Sequence, residues 1–185
     1  MPWIFSLDSD ERCTPGARDE ILRIVADPDS ADAYLVPRRN VFMGREIRHS
    51  GWYPDYRQPQ LFRRGMMDYA TEDHVHEGYV VKGRLARMTN PIRQIPYSNL
   101  SEAIQKMDRY TTLTVAKMSG RSRGRGLLRA LLGAKWAFFK AYVLQLGFLD
   151  GTPGMVIAIL RFENSFYKHM KVAEAARARR AREAG

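Results

Sequence analysis

The sequence has little with which to cross-link itself. Its 185 residues hold a single cysteine, Cys13, so no intrachain disulfide is possible. One thiol suits a reducing compartment. The chain also lacks a long run free of charge. Its most apolar stretch, LLRALLGAKWAFFKAYVLQLGFL at residues 127–149, carries Arg129, Lys135 and Lys140. Three cations in one span are costly in hydrocarbon. The first residues lack a basic n-region, and the apolar run Trp3-Ile4-Phe5 is too short for an h-region, so a secretory or targeting signal is not expected there. No internal repeat is visible. Acids are scarce beyond the first 32 residues.

What is present suffices for a folded domain. Hydrophobic residues make up 45% of the chain, which excludes a disordered polymer. The net charge of +10 is unevenly spread. Residues 1–32 carry eight acids against three bases, whereas the rest carries 27 bases against 12 acids. An acidic head on a basic body points to different jobs for the two ends. The basic body fits nucleic acid, anionic lipid or a phosphorylated substrate, and charge alone does not choose among them.

Local patterns give an order of elements. Residues 2–7 read as a buried strand. Thr14 and Pro15 read as the cap and first residue of a helix with Ile21, Leu22, Ile24 and Val25 on its apolar face, ending near Asp27-Pro28. Short strands follow at residues 33–36, 40–43, 46–48 and 61–64, with Gly44 in a hairpin turn and residues 51–55 in a further turn. A strand or two is expected within residues 74–88. From Ser98 the pattern turns helical to about Met118. A basic linker at residues 120–126 leads to the apolar stretch 127–149. A last helix is expected over residues 155–176, with a fraying basic tail.

At helical spacing Leu128, Leu131, Leu132, Phe139, Tyr142, Val143 and Leu146 share a broad face. An amphipathic helix lying in a membrane surface fits this stretch better than a span. Arg121, Arg123 and Arg125 in the linker would add about 1 kcal/mol each toward anionic lipid. The competing reading is a core helix whose lysines snorkel out.

Two constellations carry potential chemistry. In Ser6-Leu7-Asp8-Ser9-Asp10-Glu11, Asp8 and Asp10 are spaced i, i+2 at a strand end, where both could share one Mg²⁺ or Mn²⁺. A cation held so neutralises a leaving diphosphate. For a bare Asp-x-Asp a solvated acidic turn that caps the following helix is the better explanation, because such triplets are common; the apolar strand before it and the capped helix after it favour the cation. The second constellation is Thr71-Glu72-Asp73-His74-Val75-His76-Glu77. Asp73 and Glu77 are of a type to serve as general bases. His74 and His76 share a strand face, but no further ligand pair supports zinc.

Taken in order, these segments resemble family 2 glycosyltransferases, in particular the group with lipopolysaccharide core β-1,4-glucosyltransferases. The resemblance rests on Trp3 to Glu11 as the strand ending in an Asp-x-Asp-Glu motif, on residues 40–45, 51–55 and 61–64 as the middle section, on Val75-His76-Glu77, on Lys106 and Tyr110 as a Lys-x-x-x-Tyr helix, and on Gly147 to Gly151 with Gly154 as a Gly-x-x-Asp-Gly turn. It implies an α/β fold in which residues 1–97 form the C-terminal part of a GT-A (Rossmann-like) domain and residues 98–185 form basic, amphipathic, membrane-surface helices. It implies transfer of a sugar from a nucleotide-sugar donor to a lipid-linked saccharide acceptor in lipopolysaccharide or other cell-envelope polysaccharide biosynthesis. Asp8 and Asp10 would bind the divalent metal (Mg²⁺ or Mn²⁺) and the donor diphosphate, Glu77 would be the general base with Asp73 in reserve, and Trp52 and His76 would shape the sugar pocket. The enzyme would be cytoplasmic and peripheral on the inner face of the cell membrane, with an anionic membrane surface and no nucleic acid as partners. The family's strands preceding the Asp-x-Asp strand have no counterpart here, so an incomplete nucleotide-binding half is expected. Gln58-Pro59-Gln60 stands where the family often has an arginine. The alternative function is a non-catalytic basic module at a membrane surface.

Overall fold

The computed structural model describes residues 2–69, 78–118 and 127–183. The chain divides into two units, Met1–Val41 with Trp52–Pro96, and Phe42–Gly51 with Tyr97–Gly185. The first is mixed α/β and the second is mostly helical.

The first unit begins with strand β1 (Trp3–Phe5), strand β2 (Glu11–Arg12) and helix α1 (Pro15–Ala26). As the sequence leads one to expect, the Thr14 hydroxyl oxygen accepts from the Ala17 N–H, and Pro15 occupies the first turn. The helix stops at the Asp27 cap, just before Pro28. Its inward face is Ala17, Ile21 and Ile24, spaced i, i+4, i+7. Leu22 and Val25, expected on that face, are exposed.

Strands β3 (Ala33–Leu35), β4 (Arg38–Phe42) and, across the 51–55 turn, a strand over Pro59–Arg63 follow. Between β4 and that turn the chain enters the second unit, where it forms β5 (Arg45–Glu46), so the Pro59–Arg63 strand is β6. The unit closes with β7 (Met67–Tyr69), β8 (Tyr79–Val81), β9 (Leu85–Arg87) and β10 (Ile92–Gln94). In one sheet the order is β1-β6-β3-β9, with β6 antiparallel to both neighbours and β9 parallel to β3. In another, β10 lies between β2, antiparallel, and β4, parallel. Strands β7 and β8 form an antiparallel ribbon. The core consists of Ala17, Ala31, Tyr34, Val36, Leu61, Met88 and Ile92, with Trp3, Phe5, Ile21 and Ile24 packed against it.

In the second unit the Met43-Gly44 turn has both residues at positive φ, 50° and 76°, as a tight hairpin turn requires. Helix α2 (Leu100–Met118) starts with a reciprocal cap. The Asn99 side chain accepts from the Glu102 N–H, and the Glu102 carboxylate accepts from the Ser98 N–H. The apolar stretch is not one helix. Helix α3 (Leu127–Phe139) passes into a π-helical turn over Lys140–Leu144, Leu146 turns left-handed at φ 56°, and a short 3-10 turn covers Gly147–Asp150. Helix α4 runs from Thr152 to Glu183. It therefore continues through the tail that was expected to fray. Helices α3 and α4 pack together, and Ala130 and Ala134 of α3, Ala141 of the π-helical turn and Ala158 of α4 are fully buried. The Lys171 ammonium on α4 clasps α2, donating to the Asp108 carbonyl and carboxylate and to the Thr111 and Thr112 hydroxyls. Among the described residues, no helix is long and apolar enough to cross a membrane.

Candidate active site

The carboxylate stretch sits at the end of β1. Ser6 is tied to β6 through its N–H and the Gln60 carbonyl, 2.8 Å. The chain then turns so that the Glu11 N–H reaches the Asp8 carbonyl at 3.0 Å. The three acids behave differently. Asp8 is exposed, and its carboxylate has no partner among the described residues. Asp10 is half-buried and accepts from the Gln94 side-chain amide at 3.0 Å. Glu11 is buried at 6% exposure. Its carboxylate accepts from Arg38 Nε at 2.5 Å, from Gln60 Nε2 at 2.6 Å and from the Asp8 N–H at 3.0 Å.

Strand register explains this convergence. Glu11 on β2 is the cross-strand partner of Gln94 on β10, and Gln94 is the partner of Asn40 on β4. Partnered residues project from the same side of a sheet, and Arg38 shares that side with Asn40 two residues on. Glu11, Gln94, Asn40 and Arg38 thus form a buried polar row, joined by Gln60 from β6. The row extends to Trp52. Asn40 Nδ2 donates to the Trp52 carbonyl at 3.1 Å and lies 3.4 Å from the Asp55 carboxylate. Arg57 pairs with Asp55 at 2.7 Å. Burial pulls the Arg57 guanidinium down, but the Asp55 hydrogen bond and charge, aided by Glu11 and Asp10, outweigh it and hold the group above its ordinary value.

Glu11 spends both of its oxygens, but each other member of the row has one end paired and another without a partner. Arg38 Nη1, Asn40 Oδ1, Gln60 Oε1 and Gln94 Oε1 have no hydrogen-bond partner among the described residues. Unpaired buried polar atoms cost about 1–3 kcal/mol each, so their concentration beside two acids marks a place for water or a polar ligand.

Of the predicted site residues, the structure places Asp8, Asp10 and Trp52, and it links Asp10 to Trp52 through Gln94 and Asn40. Asp73, His76 and Glu77 lie outside the described residues, as do His74, Arg121, Arg123 and Arg125. Among the described residues, no group of three or more His, Cys, Asp or Glu could hold a metal ion. Asp8 and Asp10 offer two hard oxygen donors, one of them on an unencumbered carboxylate. That fits a cation such as Mg²⁺, which keeps several waters and takes only one or two carboxylates from the protein. Arg38, Gln94 and Arg57 stand in none of the sequence motifs, and Asn40 and Gln60 lie in motif segments without a site role assigned from them. Their signal was the period-two pair Arg38 and Asn40 in a strand, where polar residues fall on the buried side.

The Gly-x-x-Asp-Gly turn belongs to the second unit and has a different role. Asp150, buried at 2% exposure, accepts from the Arg48 N–H and His49 N–H, both at 3.1 Å, and from the Ser50 hydroxyl at 3.2 Å. Gly151 sits at φ 67°, and a Cβ on Gly154 would lie 1.9 Å from the Gly147 carbonyl oxygen. The motif is a clamp on the segment preceding Gly51. Elsewhere in this unit Lys106 lies 5.3 Å over the Tyr97 ring, and Tyr110 is exposed.

By themselves the fold and this arrangement define a mixed α/β protein with an acidic strand-end turn over a buried polar row. The chain is similar to a lipopolysaccharide core biosynthesis glycosyltransferase, LpsC, of Rhizobium meliloti (strain 1021), with 24% identity over 181 residues, 91% of this chain. It spans 65% of that protein's length. The likeness supports a relationship to glycosyltransferases. No family model matches the chain, and no solved structure matches it.

Proposed function

We propose that this chain carries part or all of a metal-dependent family 2 glycosyltransferase with a GT-A domain. It would move a sugar from a nucleotide-sugar donor to a lipid-linked saccharide acceptor in lipopolysaccharide or other cell-envelope polysaccharide synthesis. The observation that carries the reading is the likeness to the Rhizobium protein over 91% of the chain. Asp8 and Asp10 would hold Mg²⁺ or Mn²⁺, which when bound supplies charge neutralisation at the donor diphosphate. Trp52, held through its carbonyl by Asn40, and His76 would shape the sugar pocket. Glu77, with Asp73 in reserve, would take the proton from the acceptor hydroxyl.

We also propose that the helical unit binds an anionic membrane surface, at the cytoplasmic face of the cell membrane. Helix α3 buries Ala130 and Ala134 and leaves Leu128, Leu132, Trp136 and Phe139 exposed, at 72%, 58%, 58% and 43%. Residues 127–149 contain no acid, and Arg129, Lys135 and Lys140 are exposed among these apolar side chains. Exposed apolar side chains interspersed with cations along one segment suit anionic lipid.

The test is isothermal titration of a panel of nucleotide sugars, with Mg²⁺ or Mn²⁺, into the full chain and into Asp10→Ala. Binding that requires metal and weakens about 10-fold or more in the variant is the expected result. A folded chain that binds none of the panel, or binds equally well without metal and in the variant, overturns the donor-site reading and leaves the membrane-surface module.

A further inference from the structure

We propose that Glu11 is a positioning residue, whose buried carboxylate, set by Arg38 and Gln60, fixes the Asp8–Asp10 turn in a cation-binding shape. The proposal rests on the reading above that Asp8 and Asp10 hold a divalent cation. Glu11 is not needed as a cation ligand: both of its oxygens are already spent within the protein, one on Arg38 and the other on Gln60 and the Asp8 N–H. Its backbone N–H also returns to the Asp8 carbonyl. The turn is thus closed twice, once by main chain and once by the Glu11 side chain. Arg38 and Gln60 are each nearly fully buried, at 1% and 2% exposure, so the carboxylate they grip cannot wander. A mobile pair of aspartates would bear the entropy of ordering at each binding event, whereas a turn already held in shape does not.

A merely structural ion pair makes a different prediction. Removing one partner of a buried pair destabilises, but replacing both by apolar groups of similar volume restores stability. The informative variants are therefore Glu11→Met, Glu11→Met with Arg38→Met, and the milder Glu11→Gln should the first fail to fold. Three quantities are read on the full chain: the thermal midpoint, the Asp8 backbone amide exchange rate by NMR, and Mn²⁺ affinity from its electron paramagnetic resonance signal. The expected pattern is recovery of the midpoint in the double variant without recovery of the turn. Asp8 amide exchange stays at least about 10-fold faster than in the unsubstituted chain, and Mn²⁺ binds about 10- to 100-fold more weakly. Recovery of all three together means a structural pair only and overturns the proposal. An Asp8 amide that stays protected in every Glu11 variant overturns it also. Mn²⁺ binding equal in the unsubstituted chain and in Asp10→Ala overturns the cation reading instead, and amide exchange then judges the ordering of the turn by itself.

Discussion

Asp150 shows how one carboxylate can hold a backbone conformation. Ser50 and Gly51 both lie at positive φ, 58° and 70°, and a serine there carries a steric cost of about 1–2 kcal/mol. The three hydrogen bonds into Asp150 offset it. Asp150→Ala should lower stability by about 1–3 kcal/mol, read as a shifted urea midpoint of the helical signal, because it leaves two part-buried N–H groups and the buried Ser50 hydroxyl without a charged acceptor. Glu20 supplies a pH-dependent contact of the same kind. Burial alone would raise its carboxyl, but hydrogen bonds from the backbone and side chains of Thr89 and Asn90 outweigh this and hold it below its ordinary value. The unfolded chain therefore takes up the proton first as pH falls. The contribution is complete above the ordinary carboxylate range, about pH 4, and is lost as pH drops through the lower folded value. The stability gap between the unsubstituted chain and Glu20→Gln should be largest at neutral pH and narrow in acid, measured as unfolding midpoints across pH.

At the scale of elements, helix ends follow local chemistry and helix faces do not. Thr14-Pro15 and Ser98-Asn99 mark their helices because capping involves only neighbouring residues. The apolar face of residues 127–149 was legible as a stripe, but its inward side was not. The competing core-helix reading would turn the large apolar side chains inward, yet α3 buries Ala130 and Ala134 instead. The large side chains are left outside. Trp136→Glu and Leu132→Glu should therefore cost little stability, within about 0.5 kcal/mol, while weakening association with anionic vesicles about 10-fold or more in a sedimentation assay. Loss of folding in these variants would mean instead that the exposed face is covered within the protein.

At the scale of the whole molecule, the sequence by itself determined the charge division, the first strand and helix, the change to helices after Ser98, and the helix caps, since each depends on composition or on residues close in sequence, whereas β2, β7 and β10 were not legible in it. The net charge of +10 and its acidic head are arithmetic, and they predict that vesicle association falls as salt rises. The likeness to a protein of which this chain spans 65% is likewise a property of the sequence alone. Tertiary structure alone decided which acids face solvent and which are spent inside. Asp8, Asp10 and Glu11 are neighbours in the sequence, yet Asp8 is open, Asp10 is held by Gln94, and Glu11 is buried against Arg38 and Gln60. Those partners lie 27, 49 and 84 residues away along the chain. No local pattern encodes them, because strand register across two sheets sets which side chains meet. The same holds for Asp150, whose partners lie about 100 residues upstream. A carboxylate's role depends on its surroundings, and those surroundings exist only once the chain has folded.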